Sequence, residues 1–138
     1  MTPPMFKNLK CLQWNSRGLT KARLEEFRNL LNTEDPDLVF LSETYCKPRF
    51  TVKFTTYEIF KLDRSTIRGG GVALLVKKSL QAHAIPSPVT GTLEVIGAQV
   101  PTKTGPVNCF SVYSPRGDCT AEEINLLLPP QLPLYSSR

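Results

Sequence analysis

Apolar and polar positions change period several times along the chain. The stretch NLKCLQW (8–14) is apolar-rich and predicts a first strand that ends at Asn15. From Lys21 the spacing becomes helical, because Leu24, Phe27, Leu30 and Leu31 fall on one stripe of a 3.6-residue period. Thr20 is placed to cap that helix. Asp35-Pro36 ends it, since proline disfavours the helical region at the residue before it. DLVFLS (37–42) follows as a short run, apolar at nearly every position, the pattern of a strand covered on both faces. Strand, helix and strand in this order predict a βαβ unit with two parallel strands.

The second half reads as strands. TTYEIFKLD (55–63) and VALLVKK (72–78) form an expected hairpin with a basic tip, RSTIRGGG, between them. HAIPSPVTG (83–91), with two prolines, is expected to be a loop. TLEVIGAQV (92–100) and VNCFSVYSP (107–115) alternate well enough for two more strands joined through PTKTGP. The tail TAEEINLLLPPQLPLYSSR begins helically and breaks at Pro129-Pro130. The pattern as a whole predicts an α/β protein built on a mixed sheet.

Composition sets bounds on this picture. A chain of 138 residues, 41% hydrophobic and 21% charged, is one domain's worth of globular sequence. Its longest apolar runs are short pieces such as VALLV, far below the roughly 20 residues of a membrane helix. The start MTPPMFKNLK has no apolar core of a secretory signal. The expectation is therefore an intracellular protein without a membrane partner. The four cysteines, Cys11, Cys46, Cys109 and Cys119, form no C-x-x-C pair, and His83 is the single histidine, so zinc spacing is absent. Buried, reduced thiols fit that compartment.

Charge is local. The segment Lys47–Lys78 holds eight basic residues against Glu58 and Asp63, whereas the net charge of the whole chain is +5. Such a stretch suits a polyanion, or else forms a solvated face; charge alone leaves both open.

Two residues stand where α/β sheets place chemistry. Glu43 follows the DLVFLS strand and Asn15 ends the first one. Parallel neighbours would bring them out side by side at the carboxyl ends of the strands. A carboxylate beside an amide oxygen is a hard-oxygen pair, the donor chemistry of Mg²⁺ with waters and a phosphate. The plainer alternatives are an exposed strand-end acid and a turn amide. RGGG (68–71) lacks the lysine and helix of a phosphate-binding P-loop, and its glycines need only a positive φ. Tyr113 closes the last strand, with its hydroxyl at the same edge or in the core.

LQWNSRGL, a helix, PDLVFLSET, DRSTIRGGGVALLV and VYSP, in that order from Leu9 to Pro115, resemble the N-terminal half of the endonuclease/exonuclease/phosphatase superfamily. Within it, the pattern most resembles the apurinic-type endonuclease domain of non-LTR (LINE-like, jockey-like) retrotransposons. The resemblance implies half of a two-sheet, deoxyribonuclease I-like α/β sandwich over residues 7–116, truncated, with a divergent tail at 117–138. It implies metal-dependent hydrolysis of a DNA phosphodiester with Mg²⁺ (or Mn²⁺), and a nuclear setting. Asn15 is similar to the family's active-site asparagine, Glu43 to its metal-ligand glutamate, and Tyr113 to the tyrosine at the scissile phosphate. Arg64, Arg68, Lys61 and Lys77 fall in the basic segment expected near DNA. Arg17 stands where some members carry an acid of the metal site; it cannot be a ligand and is assigned to phosphate contact.

Two departures shape the expectation. RGDC (116–119) lies too close to VYSP to match the family's GDFN motif, and no SDH motif appears. Without those residues no general base is in place. The expected result is a fragment inactive on its own, with the inner apolar face of its sheet partly exposed and hence poor solubility or dependence on a partner chain. Two other activities stay open: a non-catalytic nucleic-acid-binding remnant, and a phosphoesterase acting on a lipid or inositol phosphate. Oligomeric state is not legible.

Overall fold

A computed structural model describes residues 9–44, 53–62, 71–86, 93–114 and Ala121. The opening unit follows the predicted periodicity. β1 (Cys11–Asn15) leads through α1 (Lys21–Glu34) to β2 (Leu38–Ser42), and the two strands pair in parallel from Cys11 opposite Leu38 to Asn15 opposite Ser42. Thr20 is extended, and its hydroxyl accepts the Arg23 N–H, which satisfies one of the orphan donors of the first turn. At the other end Asp35 takes a left-handed conformation (φ 47°) and donates its N–H to Leu31 O. An aspartate thus fills the place usually given to glycine.

β3 (Tyr57–Leu62) and β4 (Val72–Lys77) form the expected antiparallel hairpin, and β4 also pairs with β2. The first sheet therefore runs β1-β2-β4-β3. Its central strands are apolar on both faces because both faces are covered. Val39, Leu41, Ala73 and Leu75 point toward α1, where Phe27 stacks on Trp14 at 5.1 Å and meets the edge of Phe54 at 5.7 Å. Leu38, Leu74 and Val76 point the other way.

That second face contradicts one expectation. A second, antiparallel sheet of β5 (His83–Ile85), β6 (Glu94–Val100) and β7 (Val107–Tyr113) lies over it. Ala98 and Val100 pack there against Leu74 and Val76, all at 1% exposure or less. The inner apolar face of the first sheet is buried, not exposed, because the two strands read as its continuation turn back to form a cover. β5 is a further correction: three residues of the expected loop pair with β6, a ladder too short to show a period. A 3₁₀ turn, Lys78–Leu80, links the sheets and buries Leu80.

Gly97 lies opposite both Ile85 and Phe110. A Cβ at this position would stand 2.6 Å from the Phe110 ring, so glycine lets the ring lie across the strand.

The thiols differ from expectation in part. Cys11 is exposed and Cys109 half-buried, both free; desolvation by burial raises the pKa of each, with Asp37 adding to the effect at Cys11 and Cys11 to that at Cys109. Cys46 and Cys119, the basic tip at 63–70, both expected domain limits and the tail beyond Ala121 lie outside the described residues. No helix among the described residues is long and apolar enough to cross a membrane.

Candidate active site at the carboxyl edge of the parallel strands

The parallel register sets Asn15 beside Ser42, so both chains leave the sheet at one edge. Beyond that edge the two segments stay joined residue by residue. Ser16, fully buried, donates its N–H to Ser42 O at 3.0 Å, and its hydroxyl lies 3.1 Å from Ser42 O and 3.0 Å from Glu43 O. Gly18 N–H donates to Glu43 O at 2.6 Å and Leu19 N–H to Thr44 O at 2.9 Å. The two exit loops thereby extend the ladder past the ends of the strands.

These bonds hold an unusual backbone. Arg17 (φ 50°), Gly18 (φ 98°) and Glu43 (φ 53°) all have positive φ. For a non-glycine residue the left-handed region costs roughly 1–2 kcal/mol and persists where surrounding contacts dictate it. The Glu43 carboxylate meets Asn15, whose Nδ2 donates to Glu43 Oε2 at 2.5 Å. Asn15 Oδ1 accepts the Arg17 N–H at 3.2 Å. Asn15 is thus both a turn amide, bonding the backbone two residues on, and the partner of the acid. The two readings of this residue are one arrangement.

Tyr113 reaches the same neighbourhood from the second sheet. Ser111 Oγ donates to Leu41 O at 3.0 Å, which fastens β7 to β2 two residues before Tyr113 and Glu43 respectively. A groove beside this staple is lined by Gln13, Phe40, Ser42, Phe110, Ser111 and Val112.

The expected basic residues divide. Arg17 is exposed at the rim of the Asn15–Glu43 edge. Lys61 stands at the same end of the first sheet, since Ser42, Val72 and Leu62 are aligned across it. Lys77 lies at the opposite end, aligned with Tyr57 and next to the start of β2. Its ammonium sits 2.8 Å from Asp35 and 3.8 Å from Asp37. The hydrogen bond to Asp35 raises its pKa against the opposing effect of burial, and both aspartates add to the rise. Lys77 does not share an edge with Asn15 and Glu43. Arg64 and Arg68 lie outside the described residues.

Two residues were missed in the sequence. One is Ser16, hidden in an ordinary-looking NSRG turn. The other is Glu94, which is buried on β6 and accepts the Gly71 N–H on Oε1 at 2.9 Å. Its signal was an acid opening a largely apolar strand, LEVIGAQV.

The donor set at the edge is one carboxylate and one amide oxygen. Among the described residues no three His, Cys, Asp or Glu gather as a metal cage. A carboxylate and an amide oxygen are hard donors, which suit an ion that takes one or two protein carboxylates and keeps its waters, as Mg²⁺ does.

Residues 12–137 match the Endonuclease/Exonuclease/phosphatase family. The "Probable RNA-directed DNA polymerase from transposon X-element" of Drosophila melanogaster is 30% identical over 110 residues, 78% of this chain and 12% of that protein. Among solved structures, the AP endonuclease LMAP of Leishmania major superimposes with a TM-score of 0.62 at 19% identity, over 76% of this chain and 40% of that one. A humanized D. rerio TDP2 gives 0.56 at 20% identity, over 86% of this chain and 51% of its own. Both structural likenesses concern the two-sheet α/β fold. The chain spans a small part of the transposon protein and about half or less of either structure.

Proposed function

The chain belongs to the endonuclease/exonuclease/phosphatase family, and from that premise we propose that its Asn15–Glu43 edge is part of a metal-dependent site for hydrolysing DNA phosphodiesters, of the kind carried by non-LTR retrotransposons. The observation that carries this reading is the hydrogen bond from Asn15 Nδ2 to Glu43 Oε2 at the carboxyl edge of two parallel strands. Glu43 would hold Mg²⁺ or Mn²⁺, which supplies charge neutralisation at the phosphate and at the leaving oxygen. Asn15 fixes the orientation of the carboxylate by holding one of its oxygens. Tyr113, brought in by the Ser111 staple, is assigned to the scissile phosphate. Arg17 and Lys61 at this edge, with Arg64 and Arg68, are assigned to the DNA backbone.

In-line attack by water requires a base within hydrogen-bond reach. No counterpart of the family's aspartate and histidine motifs occurs in the 138 residues, and His83 is exposed on β5. We therefore expect residues 1–138 by themselves to bind metal and DNA without turning over. The localisation that accompanies such an activity is nuclear.

The test uses the purified chain with Mn²⁺, read by the paramagnetic resonance of the free ion, and with duplex DNA at several salt concentrations. The reading expects Mn²⁺ binding that is lost in Glu43→Ala, with DNA binding retained and salt-dependent. Equal Mn²⁺ binding by wild type and Glu43→Ala would sink the metal assignment and leave a nucleic-acid-binding remnant. Plasmid nicking by the wild-type chain would overturn the expected inactivity. Hydrolysis of an inositol or sphingolipid phosphoester in preference to DNA would change the substrate class.

A further inference from the structure

Glu94 is a carboxylate in a place that needs a reason. It opens β6, it is 8% exposed, and it sits on the face of the second sheet that covers the first. Taking a carboxylate out of water costs several kcal/mol unless hydrogen bonds replace the lost hydration. A hydrophobic residue would fill the same face more cheaply, as Ile96, Ala98 and Val100 do further along the strand.

What Glu94 holds lies in the other sheet. Its Oε1 accepts the Gly71 N–H at 2.9 Å. Gly71 is the residue at which the chain re-enters β4, and its φ of +93° is one that glycine adopts without strain. The Gly71 carbonyl in turn accepts the Thr44 N–H at 3.3 Å. Thr44 follows Glu43, the residue with the left-handed backbone. An unbroken line therefore runs from the β6 carboxylate through one peptide unit on each side of Gly71 to the turn that presents Glu43. On the second sheet Glu94 is aligned directly with Tyr113. One buried acid is thus aligned with the tyrosine and linked, through Gly71 and Thr44, to the residue next to the acid assigned to the site. The RGGG segment ends in glycine because the position that bonds both Glu94 and Thr44 has a φ of +93°.

We propose that Glu94 is a positioning residue, whose carboxylate fixes Gly71 and through it holds the Glu43 turn in the conformation that takes the metal ion. The inference rests on the metal-ligand reading of Glu43, but its structural half can be judged without it.

The experiment compares the ¹⁵N-labelled full chain as wild type, Glu94→Asp and Glu94→Gln, by amide NMR shifts and by Mn²⁺ binding. Asp is one methylene too short to reach Gly71, whereas the Gln amide oxygen still accepts the N–H. Glu94→Asp is expected to move the amide signals of Gly71, Thr44 and Glu43 and to weaken Mn²⁺ binding about tenfold. Glu94→Gln is expected to leave Thr44 and Glu43 in place and Mn²⁺ binding within about twofold. Unmoved Thr44 and Glu43 signals in Glu94→Asp would overturn the proposal. So would a tenfold loss of Mn²⁺ binding in Glu94→Gln with Gly71 unmoved, since Glu94 would then act by charge. Should Glu94→Asp fail to fold, Glu94→Gln decides by the same criteria. If wild-type Mn²⁺ binding survives Glu43→Ala, the function proposed for Glu43 fails, and the amide shifts alone judge the link through Gly71.

Discussion

At the scale of single residues, backbone geometry and chemistry meet at Glu43. The backbone there is left-handed, its carboxylate meets Asn15, and five loop hydrogen bonds reach the carbonyls of Ser42, Glu43 and Thr44. Removing the carboxylate and relieving the backbone are separable. Glu43→Gly and Glu43→Ala should both lose metal, but Glu43→Gly should be the more stable by about 1 kcal/mol in urea unfolding, because glycine tolerates positive φ while alanine keeps the strain. Equal midpoints would mean that the turn relaxes in both. That Asn15 and Glu43 would meet was legible in the sequence, because each follows from the end of a strand whose partner could be inferred. Glu94 was not, because nothing in the order of residues says which backbone N–H will arrive at its carboxylate from another sheet.

At the scale of elements, helix α1 was legible from its stripe and cap, and β4 from its unbroken apolar run. β5 was hidden, since three residues ahead of two prolines carry no readable period. The placement of β6 and β7 was hidden for a different reason. Alternation marks a strand but not the sheet to which it belongs. Once assigned, this hairpin makes a sharp demand at Gly97. Gly97→Ala would drive a methyl into the Phe110 ring at 2.6 Å and crowd Ile85 at 3.2 Å. A loss of about 1–3 kcal/mol in thermal or urea unfolding is expected, and Phe110→Leu in the same chain should recover part of it. A neutral Gly97→Ala would show that the ring can swing aside.

At the scale of the molecule, charge is sorted along the first sheet. Lys61 belongs to the end that carries Asn15 and Glu43. Lys77 belongs to the far end, where it pairs with Asp35 and Asp37, and where Lys10 ties the start of β1 to Glu34 at the end of α1 and to Asp37. If DNA lies on the site edge, Lys61→Ala should lower the salt dependence of binding by about one counterion, while Lys77→Ala should leave it unchanged. Lys77→Ala should instead cost less than about 1 kcal/mol of stability, since Asp35 is largely exposed and water screens the pair. Equal effects on the salt slope would place DNA along the whole sheet. The basic segment was visible as composition, but its division between two ends depends on strand register.

The strand order β1-β2-β4-β3 also has a consequence in time. β2 finds one neighbour early, across a single helix, and the other only after the chain has passed through β3. The second sheet closes over this framework with the last of the described strands. Pairings between distant parts of a chain are slow to form, because loop-closure entropy is spent before contacts return it. Asn15 and Glu43 are both available within the first 44 residues, yet the strands bearing Glu94 and Tyr113 are synthesised at the other end of the described chain. A chain still on the ribosome therefore holds Asn15 and Glu43 before it holds Glu94, and the contact proposed to set the Glu43 conformation forms only once nearly all of the described strands have been made.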